Sequence, residues 1–225
     1  MHALVFTFVL VSLPTGARQV VHPELAKERV APWSTYKVPH ALIGLETGLL
    51  SGPEHPMKWD GITRPRAEWN RDQTLKSALE FSTLWYFQRL ATQLGLERER
   101  QWLAKLAYGN ARVDGDVTTF WLGQSLRISA DEQADFLRRL WTDALPFSPR
   151  NMQIVRDLLP GQRGPHGEIH AKTGSGRGTC WYVGHVTHDG AGYVFATRIS
   201  DPSCDRVAAI ALTERMLRER GLWVE

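Results

Sequence analysis

Apparent strands at both ends of a helical middle limit the fold of this chain more than any other feature. Residues 4–13 are an apolar run too short to cross a bilayer. Followed by Pro14-Thr15-Gly16 and Val20-Val21, the run reads as strand, turn and second strand. The competing reading is a signal-peptide core. It lacks a basic leading region, because His2 is the only candidate there, although Thr15-Gly16-Ala17 has the small residues of a cleavage site. The strand reading is preferred, and no convincing signal peptide is read in the chain.

The middle of the chain follows the helical period. Val38, Ala41, Leu42 and Leu45 predict a helix over 34–47, with Gly48 as its C-terminal cap. Pro39 removes a hydrogen bond from the first turn, so that opening should be irregular and the Thr35 carbonyl should find another partner. Residues 52–71, rich in Pro, Gly and charge, read as a long loop. Leu84, Phe87, Ala91 and Leu94 form one stripe ended by Gly95, and Trp102, Leu103 and Leu106 form the next. Ser129-Ala130-Asp131-Glu132 is a capping box, and Ser148-Pro149 opens a further helix.

After Gly161 the character changes. Residues 169–175, 180–186 and 193–199 read as strands, with a turn at His188-Asp189-Gly190 and a closing helix over 206–218. Strands at both ends of a helical middle predict an α+β fold: an antiparallel sheet flanked by helices, built from both termini, with an inserted all-helical subdomain. A single domain over 1–225 is expected, its sheet lobe drawn from about 1–33 and 165–225 and its helical lobe from about 50–160.

Composition narrows the partners. The formal charge is +3, with basic and acidic residues interspersed, so nothing points to nucleic acid or to stable membrane insertion. A small anionic molecule is the partner class that fits. The nine tryptophans read as packing residues of core and groove. Cys180 and Cys204 are the only cysteines and lack metal-ligand spacing. Two free buried thiols are the default, although a hairpin from Cys180 to about Ile199 brings them toward one end of a sheet and leaves a disulfide open. His166 and His170 on a strand stand roughly 13 Å apart, too far to share an ion, and no metal site is expected.

Two short strings carry chemistry. Ser34-Thr35-Tyr36-Lys37 sets a serine one helical turn from a lysine, and Lys172-Thr173-Gly174 lies far downstream on a strand. An S-x-x-K string arises by chance roughly once in a chain of this size, but a K-T-G string in only about one such chain in twenty, so the pair carries the information. A serine hydroxyl needs a base to take its proton, and a lysine kept neutral by burial can be that base.

The run from Trp33 to Gly48 resembles the active-site helix of class D (oxacillinase-type) β-lactamases. Lys58-Trp59-Asp60-Gly61, Ser82-Thr83-Leu84, Tyr108-Gly109-Asn110, Phe120-Trp121-Leu122 and Lys172-Thr173-Gly174 match that family's markers in order and approximate spacing. Class A enzymes and penicillin-binding proteins combine S-x-x-K and K-T-G with S-D-N; here Ser82-Thr83-Leu84 takes that place.

The resemblance implies a β-lactam hydrolase in which Ser34 is acylated and Lys37 carries a carboxyl group from carbon dioxide (N6-carboxylysine). Ser82 passes a proton to the leaving nitrogen, and Lys172 assists with its charge. Leu84 and Trp121 line the carbamate pocket. Thr173, Gly174, Ser175 and Arg206 bind substrate, with the N–H groups of Ser34 and Ser175 as the oxyanion hole. Tyr108 and Asn110 are expected to hold a loop.

It implies no cofactor beyond carbon dioxide or bicarbonate, a small-molecule β-lactam as partner, and a periplasmic or secreted location. Leu84 is bulkier than the valine usual at its position. The loop between Ser175 and Cys180 is short for the family. A penicillin-sensing receptor domain, acylated without turnover, is the alternative.

Overall fold

The computed structural model describes residues 4–224. Its centre is a six-stranded antiparallel sheet in the order β2-β1-β8-β7-β6-β5, with β1 (Phe6–Ser12), β2 (Arg18–Val21), β5 (Gly161–Gly164), β6 (Gly167–Gly176), β7 (Thr179–His188) and β8 (Ala191–Ser200). The N-terminal apolar run is therefore a strand in the interior of the sheet, where Val9 lies opposite Ala196 and Phe8 opposite Thr197. Its two-residue alternation sends Phe8 and Leu10 to one face and Val9 and Val11 to the other, and all four are buried.

The face bearing Phe8 and Leu10 is covered by α7 (Arg206–Arg218) through Ala209, Leu212 and Met216. The opposite face joins the main core, which runs without a break into the helices of the middle segment. Within that segment α5 (Ala130–Trp141) lies directly on β8 and β1. It opens with the expected capping box: Ser129 Oγ accepts from the Glu132 N–H, and the Glu132 carboxylate accepts from the Ser129 N–H.

The remaining helices are α1 (Pro23–Ala26), α2 (Lys37–Glu46), α3 (Leu75–Glu80), α4 (Leu84–Leu106) and α6 (Pro149–Leu158). The two stripes divided by Gly95 are the halves of α4, which breaks at that residue with φ 77° and ψ 158°. A left-handed φ suits glycine, which explains why the stripe had to end there. The helix expected over 34–47 instead begins as a 3₁₀ turn over Trp33–Tyr36, and the α-helix starts at Lys37. Pro39 cannot donate to Thr35 O, and the Lys37 N–H reaches the carbonyls of Ser34 and Thr35 instead.

Two expectations change. The cysteines are bonded, Cys180 to Cys204, with Cα atoms 6.1 Å apart. The β7–β8 hairpin returns Ile199 opposite Cys180, and the chain then folds back through residues 201–204. The loop over 52–71 contains a short strand β3 (Pro56–Met57), paired with β4 (Gln73–Thr74), and a 3₁₀ turn over Ala67–Trp69. Neither β3 nor β5 has apolar alternation. Backbone pairing alone makes them strands, so no pattern marks them.

Strand β5 pairs only with the first part of β6, up to Gly161 opposite His170. The rest of that β6 edge, carrying Lys172-Thr173-Gly174-Ser175, has no strand beside it and faces the 3₁₀ turn of Ser34.

Candidate active site

Ser34 is held by close backbone packing. A Cβ on Gly174 would stand 2.8 Å from Pro32 O, 2.9 Å from Thr35 N and 3.1 Å from Ser34 N, so only glycine lets strand and turn approach this closely. Gly176 likewise leaves room for the Trp33 ring, which would lie 2.6 Å from an added Cβ. Thr35 Oγ1 donates to Pro32 O at 2.8 Å and accepts from Gln133 Nε2 at 2.7 Å, which fastens the turn to α5. Tyr108 OH donates to Gln133 Oε1 of α5, and Asn110 bonds Ser125 O and the Arg127 N–H, tying its own turn to the segment 125–127; neither residue lines the cleft that holds Ser34.

Lys37 begins α2 and is fully enclosed. Its Nζ lies 2.7 Å from Ser34 Oγ, 3.0 Å from Ser82 Oγ and 3.1 Å from Ser82 O, and 5.8 Å from the Phe87 ring centroid. Burial first, then the charges of Lys172 and Arg66, hold its pKa well below the ordinary lysine value.

Ser82 sits between α3 and α4 with φ 54°, a left-handed conformation unusual for a side-chain-bearing residue. Its Oγ is 3.0 Å from Lys37 Nζ and 3.0 Å from Lys172 Nζ, and so bridges the two amines. Lys172 is also buried, and its Nζ donates to Thr173 O at 3.1 Å. Burial, then Arg66 and Arg206, lower its pKa to about 7.

Behind Lys37 lies an aromatic wall. Trp121, in a π-turn over Phe120–Gln124, is fully buried against Tyr36 at 5.6 Å and His40 at 5.5 Å between ring centroids. Its indole Nε1 is buried and has no partner. Leu84, the first residue of α4, is half-buried two positions after Ser82.

Beneath the wall, Tyr36 OH donates to Glu99 Oε2 at 2.6 Å, and His40 Nε2 stands 2.8 Å from Glu99 Oε1 but out of line for a hydrogen bond. Burial and then the Glu99 charge push the Tyr36 pKa well up, so the phenol keeps its proton. Glu99, with no exposed surface, is a residue that sequence reasoning missed. It stands in the charged run Glu97-Arg98-Glu99-Arg100, where nothing in the sequence sets it apart from its neighbours.

A cleft of about 390 Å³ opens over these groups, lined by Ser34, Ser82, Lys172, Thr173, Ser175 and Arg206, with Gly174 in its floor. Arg206 is the first residue of α7. Arg66, from the loop before β4, also lines the cleft and was missed, since nothing distinguishes it from the other arginines in that loop.

Residues 12–219 match the penicillin-binding protein transpeptidase domain. The probable β-lactamase YbxI of Bacillus subtilis is 37% identical over 219 residues, 96% of this chain and 81% of that protein. The β-lactamase OXA-10 of Pseudomonas aeruginosa is 38% identical over 178 residues, 76% of this chain and 67% of that protein. The solved class D β-lactamase from Bacillus subtilis superposes with a TM-score of 0.93 at 36% identity, covering 99% of this chain and 94% of its own. The chain belongs to the class D β-lactamases.

Three of the class D markers are therefore neighbours in space as well as in order. Ser34, Lys37, Ser82 and Lys172 form one hydrogen-bonded set, although 45 positions separate Lys37 from Ser82 and 90 separate Ser82 from Lys172. Thr173, Ser175 and Arg206 line the cleft beside that set. Leu84 and Trp121 are not among its lining residues; Trp121 is buried in the main core and Leu84 packs against that core. His166 and His170 lie elsewhere, facing Asp189 and Glu168 respectively.

Proposed function

We propose that the protein hydrolyses β-lactams through an acyl-enzyme on Ser34, with Lys37 as the seat of the general base. The observation that carries this reading is the 2.7 Å approach of Ser34 Oγ to the amine of a fully buried lysine whose pKa is strongly lowered. A neutral amine can take the serine proton as Oγ attacks the lactam carbonyl carbon. The carbonyl oxygen gains charge, which the N–H groups of Ser34 and Ser175 are suited to receive. As the C–N bond breaks, the nitrogen needs a proton, and Ser82 Oγ can deliver one drawn from the protonated Lys172 3.0 Å away.

A neutral, enclosed lysine amine is also what carbon dioxide requires to form a carbamate. The unpartnered Trp121 indole N–H fits such a group, because a buried donor without an acceptor is costly. When present, a carbamate supplies a base strong enough to activate both Ser34 and the water that releases the product. Thr173 and Arg206 are placed to bind the carboxylate of the substrate. The disulfide supports an oxidising location, periplasmic or secreted. Among the described residues no helix is long and apolar enough to cross a membrane.

Mass spectrometry of protein mixed with benzylpenicillin tests the mechanism. The wild type should release product over many turnovers and slow when bicarbonate is removed. Ser34→Ala should form no adduct, and Lys37→Ala should lose turnover. A stoichiometric, long-lived adduct on the wild type would favour a sensor domain instead.

A further inference from the structure

Arg66 is a cation in the cleft without a carboxylate partner. It makes no ion pair among the described residues, and neither does Arg206 at the start of α7. Its guanidinium lies over the Trp69 ring, 5.3 Å from the centroid. That ring is itself fixed, since Trp69 Nε1 donates to Phe81 O at 2.9 Å and Trp69 O accepts from Trp85 Nε1 at 2.8 Å. Phe81 precedes Ser82, so a chain of directed contacts ties Arg66 to the site. Its charge is near enough to both catalytic amines to disfavour their protonation. The only carboxylate lining the cleft is the exposed Glu80, which is bonded to neither arginine.

We propose that Arg66 is a specificity-determining residue for β-lactams that carry a second anionic group on the acyl side chain. This inference rests on the reading of the cleft as a β-lactam site. One carboxylate, on the fused ring, is common to penicillins, and Thr173 with Arg206 suffices for it. Ring and side chain leave the lactam in different directions, and the two arginines reach the cleft from different elements, Arg66 from the loop before β4 and Arg206 from the start of α7. A dianionic substrate therefore satisfies both guanidinium groups and relieves the repulsion among Arg66, Arg206 and Lys172. A monoanionic one leaves Arg66 facing Lys172 uncompensated.

Benzylpenicillin and its α-carboxy derivative, carbenicillin, differ by the relevant group alone. The ratio of their kcat/KM values, carbenicillin over benzylpenicillin, cancels effects of Arg66 on the lysines that both substrates share. Arg66→Gln should lower this ratio about tenfold, mainly through KM for carbenicillin, as expected for loss of one charge-assisted contact in a half-exposed site. Arg66→Lys should recover part of it, and raised salt should shrink the wild-type ratio. An unchanged ratio in Arg66→Gln, or a Lys variant no better than Gln, would overturn the proposal. If the wild type is acylated by neither penicillin, the reading of the cleft itself fails, and this inference falls with it.

Discussion

Lys172 carries two demands that pull against each other. Its burial among Arg66 and Arg206 favours the neutral amine, yet supplying a proton to a leaving nitrogen requires the ammonium. With a pKa of about 7 in the folded protein, the proton is held below that pH and lost above it. Because kcat/KM reports the free enzyme, it should fall as pH rises through about 7, a limb that Lys172→Arg should remove by keeping the charge. The sign for stability is opposite. Between pH 7 and 10.5 the unfolded lysine holds a proton that the folded one lacks, so the Lys172 contribution to stability rises with pH across that window. Urea midpoints of wild type and Lys172→Met, compared at pH 7 and pH 9.5, measure it. The difference between the two proteins should change in the wild type's favour at the higher pH.

Among the elements, the segment between β8 and α7 has the most direct effect on the cleft. The disulfide joins Cys204 to Cys180, which stands opposite Ser175 in the β6–β7 ladder. Two residues beyond Cys204, Arg206 opens α7, whose N-terminus Asp205 caps by accepting from the Ala208 N–H. The bridge thus holds Arg206, proposed to bind the substrate carboxylate, near the strand proposed to supply an oxyanion donor. Cys204→Ser should lower stability by about 3 kcal/mol, the range for closing a loop of this length. It should also raise KM for benzylpenicillin more than it lowers kcat, because Arg206 loses its tether while Ser34, Lys37 and Ser82 do not. Equal KM in both proteins would show that the α7 cap alone positions Arg206.

At the scale of the molecule, the proposed catalytic set is assembled from the two ends and the middle of the chain. Ser34 and Lys37 follow the N-terminal hairpin, Ser82 lies between α3 and α4, and Lys172 sits on β6 near the other end. We take the sheet and helices as one folding unit, since β1 fills the place beside β8 and α5 rests on both. Phe8, Val9, Leu10 and Val11 are at most 5% exposed. At about 1.5–3 kcal/mol each their burial is comparable to the whole stability of a typical domain. Deletion of residues 1–21 should therefore abolish folding of the remainder, including the helical segment. Far- and near-ultraviolet circular dichroism should show loss of native signal in both regions. A cooperatively folded remainder would make the helical middle an independent unit.

Local pattern was enough for much of this protein, because the features concerned depend on near neighbours. Short apolar and β-branched runs bounded by turn residues mark β1, β7 and β8; Gly95 ends a stripe because only glycine readily takes that φ; Ser129 and Glu132 satisfy each other's backbone. The class D markers likewise named Ser34, Lys37, Ser82 and Lys172 from their strings. What the strings could not contain was distance. Lys172 becomes a weak base only through burial and through Arg66 and Arg206, which are 106 residues before it and 34 after. The same holds for the Cys180–Cys204 bond, which depends on where a hairpin returns, and for Glu99, whose partners lie on another helix. It holds above all for Arg66, one of several arginines in a polar loop. Its place in the cleft is set by a tryptophan fixed to the residue before Ser82. Electrostatics and close packing act through space, so the sequence by itself determined the elements and the reacting groups, and only the tertiary structure decided their charge states and neighbours.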